Sequence, residues 1–264
     1  MENQNKGLLA QVRQQAIADL VNQKGNITVN DLCNIFGVSP ATIRNDLTSL
    51  EERFLIKRTH GGAISCNKTV YELNTSQKAV QNAERKRAIA KEALKLIQEG
   101  DAIALDSGTT TFELAKLLTG FNDLTVLTND LMIAVWLEQN TKVNIIMVGG
   151  SIRKGFSCTV GQAALDMLSV LHVDKAFIAA NGVCVKTGLS TPSMEMASIK
   201  KQIINTSDQV ILLADSSKID RTAFATFAPL SIVDTMITDK NADTIFVENL
   251  RSKGISVILV PVDQ

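Results

Sequence analysis

The order of apolar patterns along this 264-residue chain predicts an α/β protein in two unequal parts. The first is a small winged helix-turn-helix domain, and the second is a larger domain with a mainly parallel sheet covered by helices. Three observations carry this. Residues 26–62, NITVNDLCNIFGVSPATIRNDLTSLEERFLIKRTHGG, hold two helical patterns around a glycine turn, then a basic β-prone run ending in Gly-Gly. Residues 65–80 are polar and without a sustained period, which marks a connector. Beyond them, seven short apolar runs alternate with helix-length segments, the rhythm of strands joined by crossover helices. The boundaries therefore read 1–64, a linker at 65–80, and 81–264.

In the small domain, Leu9, Val12, Ala16, Ile17, Leu20 and Val21 keep a helical period that stops before Gly25, giving a first helix over 8–24. A second helix over Val29 to Phe36 turns Leu32, Ile35 and Phe36 toward the same core, and Gly37 is placed to end it with a left-handed cap. Ser39 and Pro40 start the third: the Ser oxygen accepts from an orphan N–H, and Pro is pre-set for the first helical position. From there Ile43, Leu47 and Leu50 form the packing stripe, leaving a face of short polar side chains. Residues 54–64, with Lys57, Arg58 and His60 before Gly61 and Gly62, read as a wing that turns back on itself and touches a phosphate backbone.

A recognition helix in a major groove needs side chains that reach base edges and phosphates from its N-terminal half. Ser39, Thr42, Arg44, Asn45 and Thr48 are the candidates on the helix, and Lys57, Arg58, His60 and Gly61 those on the wing. On residues alone, an ordinary helical hairpin with a solvated polar face fits the same pattern. Charge does not separate the two readings. Residues 1–64 carry seven Lys/Arg against six Asp/Glu, although Arg53, Lys57 and Arg58 cluster.

In the large domain the expected strands begin near 102, 124, 143, 175, 209, 235 and 256. The helices between and before them are expected at Glu84–Gln98, Thr111–Leu118, Asp130–Glu138, Gly161–Val170, Pro192–Asn205 and Ala242–Arg251. Composition excludes several classes. Net charge is zero, so any nucleic-acid affinity comes from a local patch. Cys33, Cys66, Cys158 and Cys184 show no CxxC pair and read as small hydrophobes, which argues against structural zinc or a disulfide framework, and His172 reads as a packing residue. Neither a leader pattern nor an 18-residue apolar run is present, so a cytoplasmic protein with no membrane partner is expected. Neither a metal nor a cofactor is indicated.

Several expected strands end in small or polar residues: Asp106, Ser107, Gly108, Thr109, Thr110 and Thr111; Asn129; Gly149 and Gly150; Asn181; and Asp215 through Lys218. In an open α/β sheet ligands bind beyond those ends. The run LDSGTTT is a strand, a glycine turn and three hydroxyls entering a helix, which presents N–H groups to an anion such as phosphate. Lys218 offers a cation from another tip, and the remaining tips suit a polyol chain. A plain helix N-cap explains Ser-Gly-Thr-Thr equally well, and strand-end turns explain Asp106 and Asp215.

Arg13, VSPATIRNDL at 38–47 and RTHGGA at 58–63 resemble the signature of the DeoR-family repressors. The chain departs at Asn45, where that family has a second Arg, and lacks its Gly near Arg53 or Phe54. Further on, Lys86, Ile89 and Ala90, then LDSGTTT, TND, VGG, KAF, NG, ADSSK and ITD, resemble that family's sugar-phosphate sensor in order. The resemblance implies a fold similar to ribose-5-phosphate isomerase and glucosamine-6-phosphate deaminase, so an enzyme is the alternative. Related isomerases resemble one another in an Asp-Gly-Ala-Asp-Glu run that supplies a base. Here the comparable stretch is Ala179 to Val183, with Asn181 unable to serve, although Asp106, Asp130, Asp215 or Glu195 could be recruited. The expectation is a repressor of a carbohydrate uptake or catabolic operon that binds double-stranded operator DNA as a dimer or tetramer. A phosphorylated sugar effector would release it.

Overall fold

The computed structural model describes residues 2–52, 55–65 and 72–262, and the chain divides into two compact units, one ending at Glu72 and the other beginning at Leu73. The first unit runs α1 (Glu2–Lys24), β1 (Asn26–Thr28), α2 (Val29–Phe36), α3 (Pro40–Glu52), β2 (Ile56–Thr59) and β3 (Gly62–Ser65). Thr28 caps α2 reciprocally with Asp31, and Gly37 closes it in the left-handed region at φ 64° with its N–H on the Cys33 carbonyl. Ile17, Val21, Leu32, Ile43, Leu47, Leu50 and Ile56 are buried together as the core.

Two expectations for that core are corrected. Ile35 is exposed, because the buried stripe of α2 is Val29, Leu32, Cys33 and Phe36 at i, i+3, i+4, i+7, and Ile35 falls off it. Val12 and Ala16 are exposed as well, since α1 turns Ile17, Ala18 and Val21 inward. β1 was not expected. It pairs antiparallel with β3, which also pairs with β2, and the wing is the outer part of this three-stranded sheet. Gly62 is there because a Cβ would lie 2.0 Å from the Ile27 carbonyl oxygen, so β1 can approach only a bare backbone. Arg53, Phe54 and Cys66 lie outside the described residues, as does most of the first half of the expected linker. Its second half is a helix, α4 (Thr75–Val80), because Asn74 and Gln77 form a capping box.

The second unit continues with α5 (Ala83–Leu94), β4 (Ala102–Leu105), α6 (Thr109–Ala115), β5 (Thr125–Thr128), α7 (Leu131–Asn140), β6 (Asn144–Met147), β7 (Ser151–Arg153) and β8 (Cys158–Val160). Then follow α8 (Gln162–Ser169), β9 (Val173–Ala179), β10 (Gly182–Cys184), β11 (Gly188–Thr191), α9 (Met194–Asn205), β12 (Ser207–Leu213), β13 (Ala225–Ala228), β14 (Thr235–Asp239), α10 (Thr244–Ser252) and β15 (Ser256–Val260). Seven strands form one parallel sheet in the order β15-β14-β12-β9-β4-β5-β6, and they are the seven apolar runs of the sequence.

Alternation along each strand feeds two cores. Ile103, Leu105, Val126, Phe177 and Ile211 pack under α5, α6 and α7, while Ala104, Leu127, Ala176, Ile178 and Leu212 pack under α8, α9 and α10. The pairs β7-β8 and β10-β11-β13 form two small sheets. From β4 the chain moves outward through β5 and β6. From β9 it moves the other way through β12, β14 and β15, so the topological switch point lies between β4 and β9. His172, read as a packing residue, is exposed and sits 3.0 Å from Asp208, because it precedes β9 at the open N-terminal end of the sheet.

Candidate functional site

In the first unit, α3 is held so that one face is free. Asp46 is buried on the helix and takes a two-pronged bond from Arg13 of α1, Nε at 2.6 Å and Nη2 at 3.2 Å, with Gln14 adding a third donor at 3.1 Å. The Arg13 guanidinium is pushed above its ordinary pKa by that bond. The pair fixes α3 against α1, and Arg44 and Asn45 are both left exposed. Ser39 accepts the Thr42 N–H at 3.2 Å and lies 2.9 Å from its hydroxyl, so these two residues cap the helix they begin.

Thr48 and Arg58 are coupled: Thr48 Oγ1 donates to the Arg44 carbonyl and accepts Arg58 Nη1 at 2.6 Å, while the Arg58 N–H donates to Glu51. Arg58 thus ties the wing to α3. Lys57, His60 and Gly61 are exposed, and the Gly61 carbonyl accepts the Val29 N–H at 2.9 Å, anchoring the wing turn on the start of α2.

In the second unit the polar residues collect at the C-terminal strand tips around the switch point. Gly108 lets β4 and β9 close on one another, since a Cβ there would lie 3.0 Å from that of Ala179. Thr109 is half-buried and Thr110 buried at the start of α6. Thr111 is spent inside, its hydroxyl on the Asp106 and Gly108 carbonyls at 2.6 and 2.8 Å. Ser107 donates to Asp130 at 2.9 Å, and Asp130 also caps α7 through the Met132 and Ile133 N–H groups. Burial raises the Asp130 pKa against those bonds.

Asn181 takes the Thr191 hydroxyl at 3.1 Å, and Asn129 is buried with its amide nitrogen on the Thr159 carbonyl. Gly149 and Gly150 end the edge strand β6, two strands from β4, and Gly150 serves close packing, a Cβ there falling 2.6 Å from the Val160 carbonyl oxygen. They stand apart from the switch point.

Asp106 is not exposed at the β4 tip. It is fully buried, with one oxygen taking the Ala179 N–H at 3.0 Å and the ammonium of Lys200 from α9. Lys200 also donates to the Ala179 carbonyl at 2.9 Å. This ion pair, absent from the sequence reading, locks the two sides of the switch point together. Its signal was present: Lys200 sits on the apolar stripe of Met196, Ala197, Ile199, Ile203 and Ile204, where a lysine must find a buried partner.

The β12 tip shows the same kind of omission. Asp215 accepts Ser217 N–H and the Asn82 amide, each at 3.0 Å, and Arg85 donates to Ser216 at 3.1 Å. Burial pushes the Asp215 carboxyl up, but Lys218, the Ser217 bonds and Lys86 together hold it below the usual range. Lys86, on the buried stripe with Ile89, Ala90 and Ala93, faces this tip.

The candidate bases are thereby occupied, Asp106 by Lys200, Asp130 as a helix cap and Asp215 as a turn cap, while Glu195 is exposed at the start of α9. Among the described residues there is no His/Cys/Asp/Glu group able to hold a metal, and no helix is long and apolar enough to cross a membrane.

A helix-turn-helix unit followed by an α/β unit with polar strand tips at its switch point is the layout of a DNA-binding regulator, and comparison with known proteins agrees. Residues 13–69 match the model of the DeoR-like helix-turn-helix domain, and residues 81–240 that of the DeoR C terminal sensor domain. The chain belongs to the DeoR family of transcriptional regulators. It is similar to the putative aga operon transcriptional repressor of Escherichia coli O157:H7, at 34% identity over 94% of this chain and 93% of that protein. It is 34% identical to the HTH-type transcriptional repressor GlcR of Bacillus subtilis over 94% of this chain and 96% of that one. With the HTH-type transcriptional regulator GlpR of Haloferax volcanii the identity is 35%, covering 95% and 98%. Among solved structures, a D-ribose-5-phosphate isomerase superposes with TM-score 0.40 at 23% identity, covering 52% of this chain and 54% of that one. The full-length relatives are regulators, so the isomerase or deaminase alternative is set aside: the protein is a repressor-family regulator and not an enzyme.

Proposed function

We propose that this protein represses a carbohydrate uptake or catabolic operon in the cytoplasm. It binds double-stranded operator DNA as a homo-oligomer, dimer or tetramer, and is released when a phosphorylated sugar fills the crevice at the β4/β9 switch point. The observation that carries the effector half is the convergence of Thr109, Thr110, Asn181 and the half-buried Lys218 on adjoining tips of one parallel sheet, where such folds take ligands. Lys218 and the Thr109 and Thr110 hydroxyls hold the phosphate, and Asn181 with Ser107 receives the polyol. The names of relatives, one of them a repressor of an operon, support the repressing sense.

The DNA half rests on α3. Ser39, Thr42, Arg44 and Asn45 face the major groove, with Lys57, His60 and Gly61 of the wing on the backbone and Thr48 and Arg58 setting the angle between them. Paired half-sites read by a symmetric oligomer compensate for the few base contacts of one short helix. An electrophoretic shift with the region upstream of its own gene tests this: one phosphorylated sugar releases the DNA and its unphosphorylated parent does not. A complex indifferent to every sugar phosphate contradicts the release step.

A further inference from the structure

The two edges of the main parallel sheet are finished differently. In a parallel ladder, alternate residues of an edge strand turn their N–H and C=O groups to the neighbouring strand and the others turn them outward. Along β15 the Ser256 N–H goes inward to Asp234, so Val257 faces out, and Arg251 of α10 donates to its carbonyl at 3.0 Å. Along β6 the Asn144 and Val148 N–H groups go inward, to Leu124 and Thr128, so Ile145 and Met147 face out. Among the described residues, the outward groups of Ile145 and Met147 meet no hydrogen-bond partner. Such an edge is ordinarily blunted by charge, proline or a bulge. Here Asn144 through Ser151, NIIMVGGS, has neither charge nor proline, and the register of β6 on β5 is unbroken. The helix over this edge is equally unfinished. α7 packs on β5 and β6 and is apolar from Leu131 to Leu137, with Ile133 and Leu137 inside. A helix apolar all round is normally covered all round, yet Met132 is 48% and Val135 51% exposed.

We propose that β6 pairs antiparallel with β6 of a second copy of this chain, about a two-fold axis at Ile146, so that two sheets run on as one. This deepens, and rests on, the reading that the protein acts as a homo-oligomer. The strand is its own complement. Each Ile145 exchanges both backbone hydrogen bonds with Met147 of the partner subunit, and Ile146 meets its own counterpart as a non-hydrogen-bonded pair. Charge agrees with this register, since Lys142 falls opposite the uncharged Gly150 and no like charges are opposed. The axis stands perpendicular to the sheet, which keeps both copies of α7 on one face. Strands about 4.8 Å apart and helices about 10 Å across make those two helices neighbours, covering Met132 and Val135.

The test is sedimentation of the full chain, wild type against Met147→Pro and Val135→Glu. Proline at 147 removes an outward N–H and no bond to β5, a change that edge strands tolerate. Glutamate at 135 sets like charges on facing helices from a position that is exposed in the single chain. Wild type is expected as a dimer, or a tetramer containing it, and each variant is expected to dissociate into smaller species with at least about tenfold weaker self-association. The register has its own check. Ile146→Cys should cross-link two copies on mild oxidation, because non-hydrogen-bonded pairs lie about 4.5 Å apart at Cα, within disulfide reach. Asn144→Cys, opposite Val148 of the partner subunit, should cross-link no more than wild type under the same oxidation. Sedimentation unchanged in both Met147→Pro and Val135→Glu, or Ile146→Cys cross-linking no more than Asn144→Cys, overturns the β6 pairing while leaving the homo-oligomer reading intact. A wild-type chain that is monomeric at every concentration overturns both.

Discussion

Two arginines in the first unit do opposite work. Arg44 is exposed on α3, and among the described residues its guanidinium pairs with none, whereas Arg13 satisfies the buried Asp46 carboxylate. Arg44→Ala should therefore leave thermal melting unchanged and weaken operator binding by roughly 1–3 kcal/mol, read by titration of a labelled operator. Arg13→Ala should do the reverse in origin, costing about 2 kcal/mol of stability in chemical denaturation and losing DNA affinity only as α3 loosens. The polar face of α3 was legible from its spacing. The Arg13–Asp46, Lys200–Asp106 and Lys86–Lys218 relations were not, because each joins residues far apart in sequence and a lysine inside a helix reads first as surface.

Lys86 makes stability depend on pH. Burial lowers its folded pKa to about 8, below the ordinary lysine value of 10.5, so between these values the unfolded chain binds more protons and stability rises with pH. The rise amounts to at most about 3 kcal/mol, complete above pH 10.5 and absent below pH 8, and a denaturation series from pH 7.5 to 10 on wild type and Lys86→Met should show it only in the first.

At the scale of elements, the seven strands of the main sheet and the helices between them follow from apolar runs alternating with amphipathic segments. The short strands β1, β7, β8, β10, β11 and β13 escaped, since three or four residues show no period and their pairing is set by tertiary neighbours. The pair Gly61-Gly62 illustrates the difference. The sequence presents both as turn residues, but Gly61 makes the turn while Gly62 admits the backbone of β1. Gly62→Ala should accordingly cost about 1–3 kcal/mol by overpacking and abolish operator binding with it, whereas Gly61→Ala, with open space around its Cβ position, should leave melting nearly unchanged. Equal melting temperatures for the two variants would contradict that assignment.

Across the whole molecule, one chain joins a helix-turn-helix unit to an α/β unit whose strand tips carry hydroxyls, an amide and a half-buried lysine. For the second to govern the first, effector must bind the DNA-incompetent arrangement more tightly, and a switch from nearly all bound to nearly all released takes roughly 5.5 kcal/mol of differential affinity. Two-fold pairing on DNA predicts a dimer or tetramer in sedimentation, and a monomer at all concentrations would count against the half-site model. The most direct measurement follows operator occupancy by fluorescence anisotropy while phosphorylated sugars and their unphosphorylated parents are added to wild type and to Lys218→Ala. The account predicts that one phosphorylated sugar empties the operator in wild type, that its parent does not, and that Lys218→Ala stays bound. Release by the parent sugar, or unchanged release from Lys218→Ala, would contradict it.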